Sequence, residues 1–181
     1  MPARIVFLDR DGTVNVDHGY VYRVEDWEFT DRAIEALKIL RACGFGLAIV
    51  TNQAGIARGY YRLEDVGILH QHLEDVLRGS GVQLDAIALC PHGPDAGCDC
   101  RKPLIGMARQ IEQTIGQPID YIQSWTIGDK ISDLEFGFAL GTQTALIRSQ
   151  YWRPEDLDKQ PTLIVDSLYD AARDILQHPK A

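Results

Sequence analysis

The sequence is short of basic residues and of long apolar runs, and each shortage excludes a class of function. Against 26 Asp and Glu stand 18 Lys and Arg, a formal net charge of -8, with no Lys/Arg-rich run. A surface that tracks a phosphate polymer is therefore not expected, and small anions rather than nucleic acids are the expected partners. No apolar stretch approaches the ~20 residues needed to span a bilayer, and no basic segment followed by a long apolar one opens the chain. Membrane insertion is not expected, and a cytoplasmic location follows by default. Gly-x-Gly-x-x-Gly and a phosphate-loop Lys-Ser/Thr are absent, which removes the usual support for nucleotide binding. Internal repeats and low-complexity tracts are absent as well. Cysteine is sparse and uneven: of four, Cys90, Cys98 and Cys100 crowd into one loop and Cys43 sits in a helical pattern. In a cytosol-like chain such clustering favours metal over disulfides. The 181 residues, 45% hydrophobic and 24% charged, suit one soluble domain, 1–181, with a full core, expected to act as a monomer.

What is present is an alternation of short apolar runs and helical stripes. Ile5–Leu8 reads as a buried strand, and further strands are expected at 45–50, 86–89, 125–127 and 144–147, with an edge strand at 163–165. Thr30 or Asp31 is expected to cap a helix carrying Ala33, Ile34, Leu37, Ile39 and Leu40, with Gly44 as its stop. Other helices are expected at 62–78, 105–115, 133–140 and 168–176. His70 and His72, in the helix over 62–78, are expected to be partly solvated. The loop over 14–29 is too short for a cap domain. This order predicts an α/β fold: a Rossmann-like parallel sheet with helices on both faces and right-handed crossovers. In such sheets ligands gather beyond the strand carboxyl ends where strand order reverses.

The chemistry-bearing residues fall at those ends. Asp9 and Asp11, one residue apart after the first strand, share a face of an extended backbone, and Gly12 then bends the path. A divalent cation taking oxygen ligands there would free one carboxylate to attack phosphorus while the other moves a proton. Taken alone, Asp-x-Asp-Gly also fits a solvated strand end with an ordinary Asp-Gly turn. The loop Cys90-Pro91-His92 to Cys98-Asp99-Cys100 offers three thiolates and one imidazole, a set suited to tetrahedral zinc; its plain alternative is a metal-free loop of reduced cysteines. Four protein ligands leave no open position, so such a zinc is structural. Arg101 and Lys102 follow directly, and stiffening the loop fixes them too.

Asp9-x-Asp11-Gly-Thr, Thr51-Asn52, Arg101-Lys102-Pro103 and Gly128-Asp129 with Asp133, in that order, resemble the haloacid-dehalogenase (HAD) phosphatase superfamily. The resemblance implies a HAD-like fold without a large cap domain, Asp9 as nucleophile and Asp11 as acid and base. It also implies Thr51 and Lys102 as stabilisers of the phosphoryl group, and magnesium on Asp9, Asp129 and the Asp11 main-chain carbonyl. Asp133 is either a helix cap or a support for the metal site. Within the superfamily the zinc loop, with Cys90, His92, Cys98 and Cys100 as ligands, is similar to that of the heptose bisphosphate and histidinol phosphate branches. Asp17-His18-Gly19-Tyr20, Thr51-Asn52-Gln53-Ala54 through Arg58, and Lys130 favour the former, and the short interval between the zinc-ligand pairs the latter. These loops, with Lys102 at the transferred phosphate and Arg58, Arg101 and Lys130 as cations for a second phosphate at the rim, imply a small phosphorylated sugar as substrate and a place in the supply of lipopolysaccharide heptose. An end-processing nucleic-acid phosphatase is disfavoured by charge. A non-catalytic zinc-stapled interaction module is disfavoured because both Asp9 and Asp11 are present.

Overall fold

The computed structural model describes residues 1–177; the last four residues of the expected 1–181 unit lie outside them. Six strands form one sheet in the order β3-β2-β1-β4-β5-β6, every neighbouring pair parallel. They are β1 (Ile5–Leu8), β2 (Gly46–Asn52), β3 (Ala86–Cys90), β4 (Trp125–Gly128), β5 (Gln143–Ile147) and β6 (Leu163–Val165). Between them run α1 (Ala33–Ala42), α2 (Ala54–Ala57), α3 (Leu63–Gly79), α4 (Gly106–Ile115) and α5 (Ile131–Leu140), and α6 (Leu168–Gln177) follows β6.

The period of two in a strand explains the layering. Val6 and Leu8 of β1 enter a core with Leu37 and Leu40 of α1, Leu73 and Leu77 of α3 and Ala171, Ala172 and Ile175 of α6. Ile5 and Phe7 point the other way, into a core with Met107 and Ile111 of α4 and Phe136 of α5. All four residues of β1 are buried, so the strand can be apolar throughout and its first charge appears only where it ends. Because β1 lies between β2 and β4, the chain leaves the sheet in opposite directions on its two sides. The crevice at that switch point lies beyond the carboxyl ends of β1, β2 and β4, which carry Asp9, Thr51 and Asp129.

Two local expectations are corrected and one helix was not foreseen. Helix α1 begins at Ala33 after Arg32, a left-handed residue at φ 55°, and makes no side-chain cap bond. The Thr30 hydroxyl donates instead to the Thr13 carbonyl (2.8 Å), tying the loop to the turn after Asp11. The run after Thr51 holds the short helix α2, which four residues could not signal by periodicity. His70 is buried, 8% exposed, rather than partly solvated. It shares the stripe of Val66, Leu69, Leu73 and Leu77 on α3, so its helical position had already placed it on the inner face.

Candidate active site

Lys102 is the hub. Its ammonium group donates to Asp9 Oδ1 (2.6 Å) and to the Val50 carbonyl (2.7 Å), and pairs with Asp133 Oδ1 at 2.6 Å. Three N–H groups meet three acceptors, so a lysine only 4% exposed is fully paired. Burial disfavours its charge, but Asp133 and Asp9 outweigh that and hold its pKa above the ordinary lysine value. Asn52 fixes the lysine's backbone, its Oδ1 accepting from the Lys102 N–H (3.0 Å) and its Nδ2 donating to the Lys102 carbonyl (3.2 Å). Both ends of Asn52, expected to touch sugar, are thus engaged with the loop.

Asp9, Asp129 and Asp133 place carboxylate oxygens within 4.8 Å of one another, all buried. Burial, and then the charge of Asp9, pushes Asp129 up to about 8. Burial first and Asp133 second raise Asp9. Carboxylates crowded this way call for a cation, and an all-oxygen donor set suits magnesium. Gly12, at φ +88°, passes so close to Asp129 that a Cβ there would lie 2.3 Å from Oδ2; only glycine lets the turn and the carboxylate share this space. Lys130 lies in the same cluster, its Nζ 3.4 Å from Asp129 Oδ1 and from the Asp11 carbonyl, 3.5 Å from Asp17 Oδ2, and 4.6 Å from the centre of the Tyr151 ring. Burial lowers its pKa, but Asp9, Asp129 and Asp133 reverse the effect and raise it. Lys130 therefore bridges the acidic centre and the rim, where it meets Asp17 and Tyr151. Asp133 does both things expected of it: Oδ2 accepts from the Lys130 N–H (3.0 Å) at the start of α5, and Oδ1 holds Lys102.

The Asp11 carboxylate is not one of the three in this cluster. It accepts from Arg10 Nη2 (2.9 and 3.0 Å), Arg10 Nε (3.3 Å), Asn15 Nδ2 (3.0 Å) and Gln53 Nε2 (3.0 Å). Its main-chain carbonyl, by contrast, faces the acidic centre. The alternation that puts positions 9 and 11 on one face ends at Gly12, and the Arg10 fork clasps the second carboxylate. Tyr61 donates to Gln53 Oε1 (2.6 Å), which settles the amide's orientation and leaves Nε2 for Asp11 and for Thr51 Oγ1 (2.7 Å).

The rim is polar and aromatic. Asp17 accepts from the Gly19 N–H (3.0 Å) and the Tyr151 hydroxyl (2.9 Å). Burial would raise its pKa, but the Gly19 N–H and the charge of Lys130 lower it. His18 is exposed and bonded to Glu28 (3.1 Å). Gly19 and Tyr20 both have positive φ, a turn that sets the Tyr20 ring edge-on to Tyr60 at 4.9 Å. The exposed Arg58 donates to the Tyr20 hydroxyl. Arg101 reaches the His92 carbonyl (3.2 Å), and Ala54 opens α2. Several contributors escaped the sequence reading: Arg10, Asn15, Tyr61, His70, Tyr151 and Ser149, whose hydroxyl donates to the Asp129 carbonyl (2.6 Å). Arg10 lay in plain view, a charged residue between the two aspartates; Ser149 and Tyr151, on the loop after β5, had no signal.

Cys90, His92, Cys98 and Cys100 converge with all ligand atoms within 4.8 Å. Cys90 Sγ lies 3.7 Å from Cys98 Sγ and 3.6 Å from His92 Nδ1, which lies 3.3 Å from Cys100 Sγ. A tetrahedron with zinc–sulfur bonds of about 2.3 Å has edges of about 3.7 Å, so the four fit zinc with little movement. All four cysteines of the chain are free.

A parallel sheet that gathers buried aspartates, a threonine and a lysine at its switch point defines a HAD-like phosphatase, a phosphoric monoester hydrolase. A family model described as HAD-hydrolase-like matches residues 99–171. The D-glycero-beta-D-manno-heptose-1,7-bisphosphate 7-phosphatase of Photorhabdus laumondii is 40% identical over 179 residues, covering 94% of each chain. That of Pseudomonas aeruginosa is 39% identical over 181 residues, covering 98% of this chain and all of the relative. A crystal structure of D,D-heptose 1,7-bisphosphate phosphatase from B. bronchiseptica, complexed with magnesium and phosphate, superposes with a TM-score of 0.85 at 31% identity, covering 96% of this chain and 98% of that one. The chain belongs to the heptose-bisphosphate phosphatase family of HAD-like hydrolases.

Proposed function

We propose that the chain removes the C7 phosphate of D-glycero-beta-D-manno-heptose 1,7-bisphosphate through a phosphoryl group carried on Asp9. It acts as one domain, as a monomer and in the cytoplasm, in the supply of heptose for lipopolysaccharide core. One observation carries the reading: Asp9, Lys102 and Asp129 share a buried centre beside Asp11, in a chain that relatives named for this substrate match at 39–40% identity across at least 94% of its length.

Asp9 attacks phosphorus while the bond from phosphorus to the C7 oxygen breaks, and Asp11 gives its proton to that oxygen. Water then attacks the phosphoryl group, Asp11 takes its proton, and Asp9 is regenerated with release of phosphate. Thr51 accepts from Gln53, so its own hydroxyl hydrogen is free for a phosphoryl oxygen. Lys102 offsets charge on the trigonal phosphoryl group as it forms. Asp9, Asp129 and the Asp11 carbonyl would hold magnesium, which supplies further neutralisation of the phosphoryl oxygens. Asp17 through Tyr20, with Ala54, line the sugar side, Gln53 braces Thr51 and Asp11, and Arg58 and Arg101 meet the second phosphate. Among the described residues no large cap closes over the site, so selectivity falls to these loops.

The test compares heptose 1,7-bisphosphate with histidinol phosphate, reading both phosphate release and product position. The bisphosphate brings a second dianion to Arg58 and Arg101, whereas histidinol phosphate brings a cationic amine. A charge-assisted hydrogen bond is worth about 1.5–3 kcal/mol, so kcat/KM should favour the bisphosphate by at least about tenfold, with the C1 phosphate left in place. Asp9→Asn should abolish turnover of both. Equal efficiency on histidinol phosphate would sink the substrate assignment.

A further inference from the structure

We propose that His70 is a positioning residue for proton transfer: from α3 its imidazole accepts a hydrogen bond from Arg10 and so fixes the guanidinium fork that aims Asp11. The role rests on the phosphatase reading above, in which Asp11 is the acid and base.

Arg10 is wholly buried, 0% exposed, and each edge of its guanidinium has one protein acceptor. Nε and Nη2 grip the Asp11 carboxylate, Nη2 also reaches the Val21 carbonyl, and Nη1 meets His70 Nε2 at 3.2 Å. Its carbon lies 6.0 Å from the centre of the Trp27 ring. A guanidinium can only donate, so His70 Nε2 must be bare and the ring proton must sit on Nδ1. Burial and the adjacent Arg10 charge keep His70 neutral, pushing it down to about 3, which preserves the acceptor. Without His70 a buried N–H is orphaned, with no solvent to receive it. The fork then tilts toward another acceptor and turns the carboxylate to which it is clasped in two places. Gln53 and Asn15 hold other lone pairs of Asp11, and Gln53 is itself locked by Tyr61. Asp11 is therefore aimed jointly from its own turn, from the start of α2 and from α3. The side-chain partner of His70 is Arg10 rather than a residue of the sugar side, so its removal should alter the chemical step and spare binding.

The experiment sets His70→Leu, which fills the space without an acceptor, against His70→Gln, whose carbonyl can take the Arg10 hydrogen. Folding is checked by circular dichroism. On an alkyl phosphate ester His70→Leu should lose about tenfold in kcat with KM within twofold, part of the ~10²–10⁴ that general acid–base groups supply. His70→Gln should recover to within about threefold of wild type. Single-turnover cleavage of an aryl phosphate, whose leaving group needs no proton, should be nearly unchanged in both. If His70→Leu does not fold, His70→Gln against the shorter His70→Asn makes the same comparison. A folded His70→Leu protein with wild-type kcat, or Gln and non-accepting variants equally impaired, would overturn the positioning role. A wild-type protein that releases phosphate from no ester defeats the functional reading itself, and the positioning role with it.

Discussion

Buried charge at this site is held by dense pairing. Lys102 has three acceptors for three hydrogens, and Arg10 has a carboxylate, a carbonyl and an imidazole around its rim. Each pair costs desolvation, and breaking one partner of a buried pair costs about 3–5 kcal/mol because the other charge is stranded. His70 makes this visible as a pH effect. Its pKa is depressed from 6.5 to about 3 by burial and by Arg10, so between those values the unfolded chain binds a proton that the folded chain refuses. Stability from this group is complete above pH 6.5, falls as the pH drops from 6.5 toward 3, and is flat below. The slope approaches about 1.4 kcal/mol per pH unit. Urea denaturation midpoints between pH 6.5 and 4.5 should fall more steeply for wild type than for His70→Gln. Parallel slopes would show that His70 is protonated in the folded protein.

At the scale of the element, β3 and the loop after it join the metal centre to the catalytic lysine. Cys90 ends β3, Cys100 closes the ligand set, and Lys102 lies two residues further on, pinned by Asn52 of β2. A zinc on the four ligands and Asn52 would together hold the two ends of one short span. Cys98→Ser should lose zinc, measured by elemental analysis at close to one per wild-type chain. It should also expose residues 91–99 to proteases and lower kcat about 10–100-fold through Lys102, consistent with loops ordered by metal ligation. Full activity in a zinc-free protein would detach the loop from catalysis. The helices divide in the same way: α3 presents His70 inward while its outer face carries Glu64, Gln71 and Arg78 to solvent.

For the whole molecule, the acidic centre links cation binding to folding. Burial and the neighbouring carboxylates raise the proton affinity of Asp9 and Asp129, and Lys102 and Lys130 offset the repulsion only in part. A cation bound only by the folded state stabilises it by RT ln(1 + [L]/Kd), about 2.7 kcal/mol at a hundredfold excess over Kd. For a chain of 181 residues that is a rise in melting temperature of about 5–10 °C. Magnesium should produce it in calorimetry against chelated buffer, and Asp129→Asn should abolish most of it; an equal rise in Asp129→Asn would place the cation elsewhere. The sequence by itself determined the strand and helix order, the parallel sheet and the list of acidic, cysteine and Arg-Lys-Pro residues, because periodicity, chain reversal and ligand chemistry are local properties. Only the tertiary structure decided which of those side chains meet. It clasped the Asp11 carboxylate in the Arg10 fork, set Lys130 between the acidic centre and Asp17, engaged Asn52 with the Lys102 backbone, and buried His70 against Arg10. Adjacent pairs such as Arg10 and Asp11 lie within one window of sequence, but the bonds between Asn52 and Lys102, Arg10 and His70, and Lys130 and Asp11 span 50 to 119 residues, and no window contains the competition for those buried donors and acceptors.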